Sequence, residues 1–396
     1  MRDPDPARAA GIMEDFAGLT GLDPPGQPKR YLWTDAFAVC NYLGLCRRTK
    51  DKRFRDLGLR LVDQVHHTLG RHRPDDTRTG WISGLGEAEG EEHPTAGGLR
   101  IGKRLPGRRR DEPPGERLEW NQDGQYYHYL TKWMHALSLA GKVTGDARYL
   151  RWAMELAKAA HARFVYTPLR GSGKRMHWKM STDLSYTLVA SMGQHDPLDG
   201  LITYCDLQRR RPKEPGPETF PDLTTEIAEI AGICTDMDLA SDDPLGTGGL
   251  LSDALLIAGF LAQGDGGSSW PGLDLQGLLG SVMEAALFGL DVFADSGCSG
   301  LPADYRLAFR ELGLAIGLRG VGELLRRIHE NPARFGTDSS LLVQAEALLP
   351  SVPLGKAITG FWLEERNQAS GPWGEHREIN MVMLATNLVP EGFLGI

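Results

Sequence analysis

Asp35, Asp123 and Asp183 each stand at or near the start of a segment that reads as a buried helix. Two carboxyl groups facing one bond are what glycoside hydrolysis needs, a protonated acid for the leaving group and a base or nucleophile opposite it. An aspartate at a helix start is equally a cap, held by free N–H groups and the helix dipole. Asp123 is the favoured acid or base, because the polar run Asn-Gln-Asp-Gly-Gln at 121–125 leads into a bulky helix. His177 and His376 lie in MHWKMSTD and GPWGEHREIN, each just ahead of an expected inner helix. Two imidazoles across a cavity would exchange protons with a sugar carbon, the arrangement a 2-epimerisation needs. Glu378, two residues after His376, would orient it or cap the helix.

A second group comes from helical spacing. His128, Lys132 and His135 fall at i, i+4 and i+7, so they share one side of their helix. Polar groups on an otherwise buried helix need partners, either substrate or neighbouring side chains. Trp33, Trp120, Trp133, Trp178, Trp270, Trp362 and Trp373 gather around helix starts and loops, where flat rings suit stacking on a sugar. Trp33, Tyr127 and Trp178 are the expected contacts, with Gln125 from the run before the helix. Arg100, Lys103, Arg104 and Arg108–Arg110 offer positive charge to an anionic group. Arg100, set between Leu99 and Ile101, and Lys132 are the preferred pair.

No metal is expected. The five cysteines, Cys40, Cys46, Cys205, Cys234 and Cys298, show no zinc spacing and read as free thiols of a reducing compartment. The acidic run Asp236, Asp238, Asp242 and Asp243 lacks the glycine and the closing glutamate of a calcium loop. No cofactor motif is complete.

Helical periodicity positions all of these groups, and strand signals are nearly absent. In DARYLRWAMELAKAAHARF (146–164), Leu150, Ala153, Met154, Ala157, Ala160 and Phe164 follow one helical face. Asp146 is its expected cap, and Gly145 ends the helix before it. The preceding segment is bulky on all sides, as a buried helix is. TKDKRF at 49–54 repeats the pattern of TGDARY at 144–149. Further inner and outer helices are expected at 181–194 with 196–211, 246–264 with 274–293, 303–317 with 320–331, and 356–366 with 377–388, with a short helix near 339–349. That makes about six hairpins, a ring in two concentric layers without a fixed repeat period. The expected domain plan is an N-terminal extension over 1–29 and one domain over 30–396. A long loop at 72–119 interrupts it, with a short extended piece at Leu99–Leu105.

Composition agrees with a globular helical chain. The 396 residues are 41% apolar and 24% charged, which excludes wholesale disorder. A net charge of −8 argues against a nucleic-acid surface. No signal-type N-terminus and no uninterrupted 18-residue apolar run were found, so the expectation is a cytoplasmic protein with no membrane partner. The 49 glycines are in excess, and crowded helices and hairpin turns account for part of them.

The TGD-x-R-Y hairpins together with W-T-D-A-F at 33–37 resemble the six-hairpin glycosidase superfamily, the (α/α)6 toroids. RYLWTDAF (30–37) is similar to the first inner helix of unsaturated glucuronyl hydrolases, and RMHWKM (175–180) to the Met-His segment of N-acylglucosamine 2-epimerases. The resemblance implies an all-α (α/α)6 toroid whose substrate enters one end of the barrel. It selects Trp33, Asp35, the QDGQ segment, His177 and the start of the last inner helix. The first expectation is a glycoside hydrolase with Asp35 and Asp123 or Asp183 as its carboxylate pair. The alternatives are a cofactor-free epimerase, isomerase or lyase moving a proton through His177, His376 or Tyr127, and a non-catalytic toroid that binds a ligand or protein.

Overall fold

The computed structural model describes residues 5–113, 115–170, 173–212, 219–235, 237–264, 270, 272–336 and 340–395. In chain order the helices begin with α1 (Pro6–Leu19), α2 (Leu32–Thr49), α3 (Lys52–Leu69), α4 (Glu87–Glu92) and α5 (Glu116–Asn121). A two-residue strand β1 (Gln125–Tyr126) leads into α6 (Tyr127–Thr144) and α7 (Ala147–Phe164). Four short strands follow: β2 (Val165–Tyr166), β3 (Arg175–Met176), β4 (Lys179–Met180) and β5 (Thr187–Val189). Then come α8 (Asp196–Arg210), α9 (Thr224–Cys234), α10 (Pro244–Gln263), α11 (Leu275–Asp295) and α12 (Ala308–Glu330). The chain ends through α13 (Ser340–Ala347), α14 (Val352–Trp362), α15 (Glu365–Gln368), α16 (Gly371–Glu375), α17 (Arg377–Leu388) and α18 (Glu391–Leu394). The chain is all-α, with strands only as short clips.

Contacts gather it into two compact units. One comprises Met1–Phe16, Arg47–Lys50 and Asp238–Ile396, the other Ala17–Cys46 and Asp51–Met237.

In the second unit the expected hairpins form for the expected reasons. Asp146 accepts from Arg148 N at 3.0 Å to start α7, and Gly145 ends α6 in the left-handed region at φ 74°. Asp51 does the same for α3 through Arg53 N at 2.9 Å, so the repeated T-x-D-x-R pattern is a repeated cap. α6 packs on α7 and α8, and α8 packs on α9. The segment 181–194, expected as an inner helix, is instead a turn and the strand β5. Ser181 and Asp183 side chains bond the backbone of Ser185 and offer the chain an alternative to helix. The inner partner is therefore α8, which had been expected as an outer helix. The long loop holds α4, α5 and the extended piece at Leu99–Leu105. There Arg100 N bonds Leu69 O at 3.0 Å, Ile101 N bonds Gly124 O at 2.8 Å, and Ile101 O accepts from Leu32 N at 3.0 Å.

In the first unit α10 packs on α11 and α12, and α12 touches α14 and α17. α12 runs unbroken from 308 to 330, where two helices split near Gly320 had been expected. Its glycines are contact points rather than breaks. A Cβ on Gly248 of α10 would stand 2.1 Å from Gly313 O, and one on Gly317 would stand 2.5 Å from Gly248 O. Among the described residues, Pro244–Gln263, Leu275–Asp295 and Ser340–Trp362 are long and apolar enough to cross a membrane by length and composition. In the first of these, 67% of the window is buried by the chain itself.

The α10–α12 contact generates a matched pair of variants. Gly248→Val is expected to destabilise by about 1–3 kcal/mol through overpacking. Gly249→Ala, with nothing within 4 Å of its Cβ position, should instead gain about 0.5–1 kcal/mol of helix propensity. Urea midpoints that move equally for the two variants would contradict this packing.

Candidate functional site

The three expected carboxylates have separate structural partners. Asp123 is fully buried just ahead of β1. Arg100 Nη1 donates to its Oδ2 at 2.5 Å, and Gly102 N, Lys103 N and Gly124 N donate to its Oδ1 at 3.0, 3.3 and 3.0 Å. Arg73 adds a second positive charge at 3.6 Å. A carboxylate held by so many donors anchors the backbone around it. Arg100 is used up as well, since its remaining N–H groups go to Thr68 O at 2.6 Å and Arg71 O at 2.8 Å.

Asp35 is sealed in the first turn of α2. Its carboxylate accepts from Tyr31 N at 2.9 Å and from Arg30 at 3.3 Å. Burial pushes its pKa up to about 6, against the opposing pull of Arg30 and the Tyr31 bond. Asp183 lies in the turn between β4 and β5, not at a helix start. Burial would raise its pKa, but bonds from Ser185, Ser181 and Arg78 outweigh that and hold it at about 2. It faces a cleft of about 540 Å³ on the far side of α7, lined also by His93, Glu155, Lys158, Arg163 and Leu184. Among the described residues, the hydrogen bonds and ion pairs of the three aspartates go to different residues.

Other expected contacts also have structural work. Gln125 is buried, accepts from Leu99 N at 2.8 Å and donates to Gly97 O at 3.0 Å and Thr182 O at 2.8 Å. Tyr127 is buried against Phe164 and under Gly200, where a Cβ would stand 2.3 Å from its hydroxyl. Trp33 is core, packed on Phe37 at 4.5 Å. His177 stacks flat on Tyr166 at 4.1 Å, and burial lowers its pKa. Its neighbour Trp178 has a different set of partners, because adjacent residues of an extended chain point to opposite faces. In the other unit, His376 sits between α16 and α17 with its ring 5.3 Å from Phe309, and Glu378 is in the first turn of α17. Of the acidic run, Asp236 lies outside the described residues, and Asp243 caps α10 through Leu245 N at 3.1 Å.

The predicted polar stripe of α6 is where groups converge. Tyr127, Leu130, Thr131, Trp133 and Met134 are buried, while His128, Lys132 and His135 are half-buried. The first turn of α8 faces two of them. Asp199 Oδ1 accepts from Lys132 Nζ at 2.6 Å, and Asp196 Oδ1 stands 3.4 Å from His128 Nδ1. Thr131 also donates to Asp199. Aromatic rings wall the imidazole: Tyr126 stacks on His128 at 5.4 Å, Trp178 lies near-parallel to it at 6.3 Å, and Tyr129 meets it edge-on at 4.9 Å. Trp120, 55% exposed, extends the wall by meeting Trp178 at 4.9 Å. Tyr31, at the start of α2, joins through a hydroxyl contact of 2.6 Å with Tyr129.

Lys179 braces this wall from behind. Its ammonium donates to Glu119 O and, at 2.9 Å, to Gln122 O, and it lies under the Tyr126 ring at 5.3 Å. Burial lowers its pKa to about 8 against the opposing charge of Glu119.

Asp196, Asp199 and Tyr31 were missed in the sequence. The signal was D-P-L-D, two carboxylates at i and i+3 with proline in the first turn, read only as the start of an outer helix.

No family model matches the chain, and no curated protein matches it. The solved structures to which the chain is similar include three sugar epimerases. They are a sugar epimerase from a ruminal bacterium (9% identity, TM-score 0.48, covering 96% of this chain and 98% of that one), a cellobiose 2-epimerase from Bacillus thermoamylovorans B4167 (11%, 0.46, 96% and 98%) and a cellobiose 2-epimerase from Spirochaeta thermophila DSM 6192 (13%, 0.48, 97% and 98%).

Two measurements check the charges described above. Arg100→Met strands the buried Asp123 carboxylate and is expected to cost about 3–5 kcal/mol in denaturant unfolding; a loss under about 1 kcal/mol, the size of an exposed pair, would contradict the anchor role. Asp35 has a folded pKa of about 6 against an ordinary 3.8, so the folded state holds its proton longer than the unfolded chain. Stability therefore falls as pH rises through that window. The stability of the wild type minus that of Asp35→Asn should drop by roughly 3 kcal/mol from about pH 4 to about pH 6 and then level off. A difference that rises over that range would reverse the assignment.

Proposed function

We propose that this chain is a carbohydrate-active enzyme, a sugar epimerase, in which His128 moves a proton at the carbon beside the sugar carbonyl. The observation that carries the activity is the open His128–Lys132 stripe on an otherwise buried helix, matched by Asp196 and Asp199 and walled by Tyr126, Trp178 and Trp120. Hydrolysis would need two carboxyl groups facing one bond, and each of the aspartates expected for that is bonded to its own arginine.

The chemistry follows from the groups present. Asp196, 3.4 Å from Nδ1, faces one side of the imidazole, which leaves Nε2 for substrate. Nε2 takes the proton from C2, and the electron pair left behind spreads over C1 and its oxygen as an enediolate. Lys132, one turn along the same face, opposes the charge on that oxygen while bonded to Asp199. A proton from water is then delivered to the other face of C2, the proton on His128 returns to water, and the product is the epimer. The partly exposed ring of Trp178 and the exposed ring of Trp120 offer flat apolar surfaces to the sugar. No cofactor is required, because the sugar's own carbonyl accepts the electrons.

The test is turnover of cellobiose and of glucose in deuterated water. The wild type should place deuterium at C2 of the epimerised sugar. His128→Asn should slow exchange by about 10²–10⁴-fold, the usual contribution of a general base, while sugar still quenches tryptophan fluorescence. Release of glucose from cellobiose without exchange at C2 would overturn the reading in favour of hydrolysis. Full exchange by His128→Asn would remove His128 from the role.

A further inference from the structure

We infer that the sugar taken by this site carries a negative charge at the end remote from its carbonyl, as a uronate or a sugar phosphate does, and that Lys103 recognises it. The inference rests on the proposed function for the location of the site, and it concerns a group that reading leaves unused.

The charged groups bordering the aromatic wall come with partners, apart from one. Lys132 has Asp199 at 2.6 Å, His128 has Asp196 at 3.4 Å, Arg100 has Asp123 at 2.5 Å, and Arg73 has Asp75 at 2.7 Å. Lys179 has two carbonyl oxygens and the Glu119 carboxylate at 3.7 Å. Lys103 differs. Among the described residues no carboxylate lies within ion-pair reach of its ammonium, which stands 5.4 Å from the centre of the Tyr31 ring. That ring is joined to the wall by the Tyr31–Tyr129 hydroxyl contact, and Tyr129 meets His128 edge-on.

The position of Lys103 is also fixed from its backbone. Its N–H donates to Asp123 Oδ1 at 3.3 Å, and its carbonyl accepts from Arg73 at 2.6 Å. The side chain is half-buried, so it does not simply extend into bulk water. An aromatic face offers an ammonium only about 0.5–1 kcal/mol at an exposed site. An anionic ligand group would supply a charge-assisted bond that the protein itself withholds. A uronate or a 6-phosphate leaves C1 and C2 free for proton transfer, so the charge and the chemistry occupy opposite ends of one molecule.

The experiment compares binding of D-glucose, D-glucuronate and glucose 6-phosphate by calorimetry, in wild type, Lys103→Met and Lys103→Arg. The wild type should bind at least one of the anions about tenfold or more tightly than glucose at low salt, with the margin shrinking as ionic strength rises. Which anion is preferred identifies carboxylate or phosphate. Lys103→Met should bring the anions down to the level of glucose while glucose affinity stays unchanged, and Lys103→Arg should keep the preference. Glucose bound as tightly as both anions, or a preference that survives Lys103→Met, overturns this inference and leaves the epimerase reading standing. No binding of any of the three overturns the epimerase reading and this inference with it.

Discussion

A fully buried carboxylate cannot exist without compensation, and the compensation of Asp123 organises the Ala17–Met237 part of the chain around it. Its main charge partner, Arg100, reaches on to the carbonyls of Thr68 and Arg71 at the end of α3. Its backbone donors, Gly102, Lys103 and Gly124, come from two segments about twenty residues apart in sequence. Between them Ile101 bonds both Gly124 and Leu32, so the loop at 99–105 ties the start of α2 to the approach to α6. One ionic anchor thereby fixes the register of Tyr31 against Tyr126, His128 and Tyr129. The long loop works as a structural member, not as a lid.

This gives the buried charges two distinct uses. Asp35, Asp123 and Asp183 hold backbone, each through its own arginine and N–H or hydroxyl donors. Asp196 and Asp199 instead face side chains that remain partly exposed, an imidazole and an ammonium. The difference is local. The first three sit in turns or beside helix starts, where free N–H groups are near at hand. The α8 pair opens a helix whose neighbour α6 presents basic groups at matching height.

How much was legible follows from range. The caps at Asp51 and Asp146 and the turn at Gly145 are short-range chemistry, and the sequence pattern located them correctly. So did the i, i+4, i+7 stripe of His128, Lys132 and His135, because helical spacing alone places those residues on one side. What was not legible depended on partners far along the chain. The expectation of Asp123 as acid or base takes no account of Arg100, 23 residues earlier, which the structure pairs with it. The expected division into 303–317 and 320–331 fails because nothing local reveals that α12 lies unbroken against α10. The segment 181–194 failed for the opposite reason, since its serine and aspartate bonds are local but compete with helix in a way that apolar periodicity does not register.

The opening of the site and its charge are then a single constraint. α6 carries bulk on every other side, with Tyr127, Leu130, Trp133, Met134 and Leu137 fully buried. Closing the remaining side over His128, Lys132 and His135 would strand an ammonium and two imidazoles, each at a cost of several kcal/mol unless paired. Apolar packing cannot cover that stripe. It must either stay open to water or be met by acidic residues. The structure does both: α8 brings two carboxylates, and the basic groups keep part of their surface exposed. A stripe that is charged, paired on one flank and ringed by aromatic faces has the polarity of a sugar, hydroxyl-bearing at its edges and apolar on its ring faces. The sequence pattern that made α6 look anomalous as a core helix is thus the physical reason that this stripe keeps part of its surface exposed.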